Sequence, residues 1–352
     1  ARAADGDDAE EPYASSPWNP HELARQRDCL LSHVLSREAS GDGMAAMDTG
    51  DGASGDGGVA TVAELFRPRL RISMLFGVES PADGRWGVHP HRLCGYSYLH
   101  AGAPKTWYAI SASDADAFQE ALRRELGGAP SGGGALPALL SPSTLASHQL
   151  QVSRVVQYAG EVVITLPNAY HFAFSHGASV SEESLFAPLD WLPHGVRAHA
   201  ELRRLRQPAA FSIAEVLLRT AASDRSVRSA EKTLSALRPM TESLAKGLEQ
   251  LVAAGATVEP EVAEVVTAAE PRPLALGPDD ELEELMAAAD AARPASRCAE
   301  CAAHCYLCVV TTGGGGSSLC ASCAAGAAIE GMTARLRLPL DKLARFDSRS
   351  AE

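Results

Sequence analysis

Six of the eight cysteines fall between Cys298 and Cys323, and four of them make two knuckles, Cys298-x-x-Cys301 and Cys320-x-x-Cys323. A two-residue spacer lets a pair of thiolates converge on one ion, and two such pairs complete a tetrahedral four-sulfur shell for Zn2+. Cys305 and Cys308 form a third pair inside the block, so the shell has more than one possible closure. The glycine tract at 313–316 between the knuckles permits either. A four-thiolate shell leaves no open coordination position, which makes the expected zinc structural and not catalytic. Cys29 and Cys94 lie alone. A disulfide framework spreads its pairs along a chain, whereas this crowding reads as a metal site in a reducing compartment.

The elements that must position such groups are read from pattern. Leu70, Ile72, Met74 and Phe76 alternate with Arg69, Arg71 and Ser73, which predicts a strand. Lys105 to Ile110 reads as a second strand. Ser113 is placed to cap a helix that carries Asp116 in its first turn and Phe118, Leu122 and Leu126 on one face, with Gly127 and Gly128 ending it and a loop running to Gly134. Arg154 to Tyr158 and Glu161 to Leu166 are β-rich runs split by Ala159-Gly160, which predicts a tight hairpin. A short helix is expected over His21 to Leu35, and helices over 196–255 with breaks at Pro208 and Pro239.

These segments divide the chain into a mostly irregular stretch at 1–58, a β-rich domain at 59–200 and a helical segment at 201–258. A Pro- and acid-rich linker at 259–296 and the cysteine-rich module at 297–345 complete it. The fold class is mixed and β-rich, a barrel with helical flanks.

The net charge of −13 argues against a nucleic-acid binder held by phosphate contacts, which needs clustered Lys and Arg. An acidic surface suits a basic partner and also keeps a protein soluble. No run of 18 apolar residues exists, so no membrane-spanning helix is expected. The acidic opening at 1–12 lacks the apolar core of a signal peptide and reads as neither a signal nor a transit peptide. Beginning on Ala1, the chain reads as a fragment or a processed form.

Three ordered blocks resemble one family. They are SPWN at Ser16 to Asn19, YLHAGAPKTWYAI at Tyr98 to Ile110, and VVQYAGEVVITLPNAYHFAFSHG at Val155 to Gly177, continued by FAPLDWLPHG at Phe186 to Gly195. Together they resemble the JmjC histone lysine demethylases, most of all the histone H3 lysine-4 type with a C-terminal cysteine-rich zinc finger. The resemblance implies a JmjC domain of cupin-like double-stranded β-helix form at 59–200, Fe2+ and 2-oxoglutarate as cofactors, a histone H3 tail or chromatin complex as partner, and the nucleus as location. The product chemistry it implies is hydroxylation of an N-methyl group and loss of formaldehyde. In the zinc finger, the family's later ligands fall at Thr312 and Gly314 and its His at Cys323, so the resemblance secures one zinc.

Such an iron site needs two His and one carboxylate on one face of the metal, with the remaining positions open for co-substrate and O2. The resemblance places the downstream His at His171 and the lysine that pairs with the 2-oxoglutarate carboxylate at Lys105. The upstream His-x-Glu that follows a Trp falls on Gly87 and His89, after Trp86. Glycine has no side chain to ligate, and an imidazole in the carboxylate position removes a negative charge. The family's tyrosine facing the methylated ammonium falls on Arg71, and its polar groups near the co-substrate fall on Gly95, Ser97, Glu183 and Leu185. Five extra residues stand between Phe76 and Trp86. Two outcomes remain open: a barrel that has lost catalysis, or an active Fe2+/2-oxoglutarate demethylase in which His89 and His91, as His-x-His on one strand face, join His171.

Overall fold

Alternation between two sheets organises the β-rich half of the chain. The structure, a computed structural model, describes residues 16–39, 61–82, 84–125, 140–223, 226–260, 296–312, 317–327 and 331–338. The segments expected to be irregular at 1–15 and 40–58, the glycine-rich loop at 127–134 and the linker from 261 to 294 lie outside the described residues.

One unit comprises residues 1–32 and 66–194. Its strands are β1 (Arg69–Ser73), β2 (Val78–Glu79), β3 (Cys94–Gly102), β4 (Lys105–Ile110), β5 (Val152–Gln157), β6 (Val162–Thr165), β7 (Tyr170–Ser175) and β8 (Ser179–Phe186). They form two four-stranded sheets of order β1-β8-β3-β6 and β2-β7-β4-β5. Every pairing in both sheets is antiparallel. From β3 to β8 most steps along the chain cross from one sheet to the other, which gives the expected cupin-like barrel.

The expected hairpin at Ala159-Gly160 is therefore a corner. β5 pairs with β4 in one sheet, while β6 pairs with β3 in the other. Gly160 takes φ of 86°, and its N–H donates to the Leu99 carbonyl at 2.7 Å. Gln157 donates to the Ser97 and Glu161 carbonyls, which fixes the crossing from both sides. Local pattern reports strand, turn, strand but does not report the partner of either strand.

The expected strand at Leu70 to Phe76 forms as β1, yet Leu70, Ile72, Met74 and Phe76 are all exposed. Its alternation marks a free face of an edge strand and not a core face. The helix expected from Ser113 starts as a 3-10 turn at Ala112–Asp114 with Ser111 as its cap, and continues as α4 (Ala115–Glu125). Phe118 and Ala121 of α4 and Leu145 of α5 (Pro142–Ser147) bury against Trp86, Ile110 and Phe172. The helix expected over His21 to Leu35 is two short ones, α1 (Pro20–Leu23) and α2 (Ser32–Ala39).

The second unit comprises residues 33–65 and 195–352. It contains α3 (Val62–Phe66, ending on the unit boundary), most of α6 (Leu192–Arg204), α7 (Ile213–Ser223), α8 (Val227–Ala253) and α9 (Ala321–Ala327), with β9 (Thr257–Pro260), β10 (Cys308–Thr312) and β11 (Met332–Leu336). Pro239 was expected to break the helix, but α8 runs through it. Leu234, Leu237, Leu244, Leu248 and Leu251 form a buried stripe on both sides of the proline. That packing outweighs the one backbone bond a proline removes. Thr241 Oγ1 also donates to the Arg238 carbonyl at 2.9 Å.

Glu259 and Pro260, expected to open the linker, lie in β9, which pairs in parallel with β11. The partner strand lies 76 residues downstream of Thr257, and no local signal announces it. Among the described residues, no helix is long and apolar enough to cross a membrane.

Candidate functional site

In the barrel, Trp86 anchors the segment that carries the expected upstream ligands. Its indole stacks edge-on to Phe172 at 4.7 Å and donates to the Leu140 carbonyl at 2.9 Å. Gly87 then lies opposite His171, with Gly87 N to His171 O at 3.2 Å and His171 N to Gly87 O at 2.9 Å. The backbone thus brings the upstream position beside the downstream histidine, but a side chain is missing there. A Cβ added to Gly87 would meet the Ala82 Cβ at 2.7 Å and the Ala82 N at 2.9 Å. Ala82 belongs to the longer segment between Phe76 and Trp86, and it fills the space a histidine would use.

His89 turns inward. Its Nε2 is hydrogen-bonded to Thr165 Oγ1 at 3.0 Å, and its ring lies 4.6 Å from the His171 ring. A Cβ on Gly95 would fall 2.0 Å from the same Nε2, so the imidazole sits in a cradle that only glycine leaves open. Burial holds the His89 pKa well below the usual histidine range, with His171, Arg69 and Arg71 adding to the shift. Burial also pushes His171 down, to about 4, against its Nδ1 hydrogen bond to the Ala169 carbonyl at 2.9 Å. Both imidazoles are neutral at pH 7.

His91 does not share a strand face with His89, as His-x-His would require. Pro90 has no N–H for a ladder and starts a 3-10 turn at Pro90–Arg92, in which His91 takes φ of 52°. The His91 carbonyl accepts from Trp191 Nε1 at 2.9 Å. Among the described residues, the one group of three or more His, Cys, Asp or Glu with ligand atoms mutually within 4.8 Å is a set of four cysteines. His89, His91 and His171 do not form another. The residues around His171 therefore do not fit the iron that the resemblance implies.

Lys105 is fully buried. Its Nζ donates to Glu79 Oε1 at 2.5 Å, to Glu79 Oε2 at 2.6 Å and to Ser181 Oγ at 2.5 Å. Arg71 turns to Glu183, with Nε to Oε2 at 3.0 Å. Ser97 Oγ is buried and finds no hydrogen-bond partner among the described residues. Glu79, Ala82, Thr165 and Ser181 were not anticipated from sequence. The only signal that pointed toward Glu79 and Ala82 was the extra length between Phe76 and Trp86.

In the second unit, the structure brings together Cys298, Cys301, Cys320 and Cys323. Cys301 Sγ and Cys320 Sγ stand 3.8 Å apart. The first knuckle is closed by Ala302 N to Cys298 O at 2.9 Å and Cys298 N to Ala303 O at 2.8 Å. The second sits where the chain enters α9, with Ala324 N bonded to Cys320 O at 2.9 Å. Burial raises the Cys298 thiol, but backbone amides outweigh it and bring the pKa down to about 7. Arg203 Nη2 lies 3.6 Å from Cys320 Sγ, a cation beside sulfurs that would be anionic on a metal. Cys305 and Cys308 are buried outside this group. The four-sulfur set fits zinc, which would cross-link two chain segments without an open position.

The JmjC domain family, described as a hydroxylase, matches residues 81–186. The putative lysine-specific demethylase JMJ16 of Arabidopsis thaliana is 34% identical over 191 residues, 53% of this chain and 13% of that protein. The lysine-specific demethylase JMJ703 of Oryza sativa is 34% identical over 218 residues, 60% of this chain and 15% of that protein. The human lysine-specific demethylase 5D is 31% identical over 217 residues, 60% of this chain and 12% of that protein. The chain thus spans a minor part of the length of these relatives. Its barrel, the position of His171 within it and these similarities lead to one conclusion: residues 81–186 are a JmjC domain, similar to that of lysine-specific demethylases.

Proposed function

We propose that this chain is part of a chromatin-associated regulator in which the JmjC barrel no longer performs iron-dependent demethylation. The reading is supported most by Gly87, which offers no ligand and whose missing side chain is replaced in space by Ala82. A metal held by His171 alone, or by His171 and His89, lacks the carboxylate and the third ligand of the family's iron site. The Arg71 guanidinium stands where the resemblance has a tyrosine facing the methylated ammonium, and it is paired with Glu183. On this reading the barrel and the zinc module serve as a nuclear scaffold in transcriptional regulation. The net charge of −13 suits a basic partner such as a histone H3 tail.

A second reading retains activity through His89, His91 and His171. What favours it is the 4.6 Å approach of the His89 and His171 rings. Both readings are separated by metal analysis of the purified chain together with succinate release from 2-oxoglutarate and a methylated H3 peptide. Zinc without iron, and no succinate above the no-enzyme control, is the expected result. Stoichiometric ferrous iron with turnover would replace the first reading with the second.

A further inference from the structure

We propose that Glu79 is a built-in carboxylate that occupies Lys105 in place of a free acid, so that the barrel does not take up 2-oxoglutarate. The inference rests on the reading of Lys105 as the acid anchor and extends the non-catalytic reading to the co-substrate side of the barrel, where no iron ligand is involved.

An ammonium group has three N–H donors. At Lys105 two are spent on Glu79 Oε2 and Oε1, at 2.6 and 2.5 Å, and the third on Ser181 Oγ at 2.5 Å. No donor is left for an incoming acid. The Lys105 side chain is 0% exposed and that of Glu79 8% exposed, so water competes little for the pair. Seating a dianion beside this neutral pair would place three carboxylates around one buried cation, an arrangement that desolvation opposes strongly.

Glu79 is held by more than its side chain. β2 pairs with β7 through Val78 to Phe174 and Glu79 to Ala173. Phe76 N donates to the Ser175 carbonyl at 2.8 Å, and Ser175 N donates to the Gly77 carbonyl at 3.0 Å. Ser73 Oγ donates to Glu79 Oε1. The segment between Phe76 and Trp86 thus contributes a short strand that delivers a carboxylate to the lysine, in addition to Ala82 against Gly87.

Thermal melting of the zinc-loaded, iron-free chain tests this with 2-oxoglutarate and succinate as probes, against sodium chloride at matched ionic strength. The wild type is expected to show no acid-specific shift. Glu79→Ala leaves a buried ammonium without its counter-charge and melts lower. Added 2-oxoglutarate then restores it saturably, by about 3–5 °C at tenfold the dissociation constant. The double variant E79A/K105M loses the response. Glu79→Gln, which keeps volume and one acceptor while removing the charge, covers the case in which Glu79→Ala does not fold, and it too is expected to gain the response.

A wild type that responds like the variants overturns the inference, as does a folded Glu79→Gln that ignores both acids, or a response that survives in E79A/K105M. These failures are distinct from failure of the non-catalytic reading. A wild type that binds 2-oxoglutarate yet holds no iron sinks the plug alone, whereas iron in a wild type blind to 2-oxoglutarate sinks only the other.

Discussion

Ala82 stands where a side chain on Gly87 would have to go, with 2.7 Å between the Ala82 methyl and the Cβ that Gly87 lacks. A ligand side chain at this position would therefore need more than a point substitution. Ala82 fills the space it would use, and the backbone pairing of Gly87 with His171 runs beside it.

Gly87→His is accordingly expected to fail as a repair. The imidazole must push Ala82 aside, an overpacking that costs about 1–3 kcal/mol. The check is chemical denaturation together with ferrous iron content. A variant as stable as the wild type that takes up iron stoichiometrically would show that the space is open after all.

His89 and Gly95 share one volume, since a Cβ on Gly95 would sit 2.0 Å from His89 Nε2. Gly95→Ala alone is expected to destabilise the chain by about 1–3 kcal/mol. In a His89→Ala background the same change still meets Thr165 Oγ1 at 2.5 Å, so its cost is expected to shrink without vanishing. A double-mutant cycle measures the coupling directly. Additive effects would place His89 outside the cradle.

His171 gives a pH signature. Its pKa is depressed to about 4 by burial, against 6.5 in an unfolded chain, so between those values the unfolded state binds the extra proton. Stability is then constant above pH 6.5 and falls as the pH drops toward 4, by about 3 kcal/mol from this one group. His171→Asn should flatten that part of the profile relative to wild type. Equal slopes for the two proteins between pH 4 and 6.5 would mean that His171 protonates freely in the folded barrel.

Much of this was legible in the sequence, and the misses share a cause. The two outer cysteine knuckles were identified by type and spacing, and Lys105, His171 and Gly87 by their places in the resemblance. Glu79 and Ala82 were not, because they lie in a lengthened segment with no pattern to compare, and what matters is where that segment returns in space. The same limit explains the β5 to β6 corner, read as a hairpin, and β9, read as linker. At the corner the β runs and the turn were identified and only their partner strands were not, whereas at β9 no β run was identified, since its partner strand lies elsewhere in the chain. His91 leaves the strand face of His89 for a local reason that was visible, since Pro90 cannot continue a ladder.

The cysteine block yields a prediction that separates its alternative closures. Cys298, Cys301, Cys320 and Cys323 converge, and the buried Cys305 and Cys308 do not join them. Cys301→Ser and Cys320→Ser are each expected to drop zinc content from one per chain toward zero, and to melt β10, β11 and α9. Without the metal that segment loses the cross-link between its knuckles, and its packing on α8, including the close approach of Gly247 and Ala321, does not replace it. Cys305→Ser and Cys308→Ser should each keep one zinc, with a loss of stability set by packing alone. A chelator should reproduce the first pair of variants in the wild type, and readdition of zinc should reverse it. Zinc content that falls equally in all four variants would show that the third cysteine pair takes part in the shell, and an assignment based on the four converging sulfurs would have to give way to a shared or exchanging site.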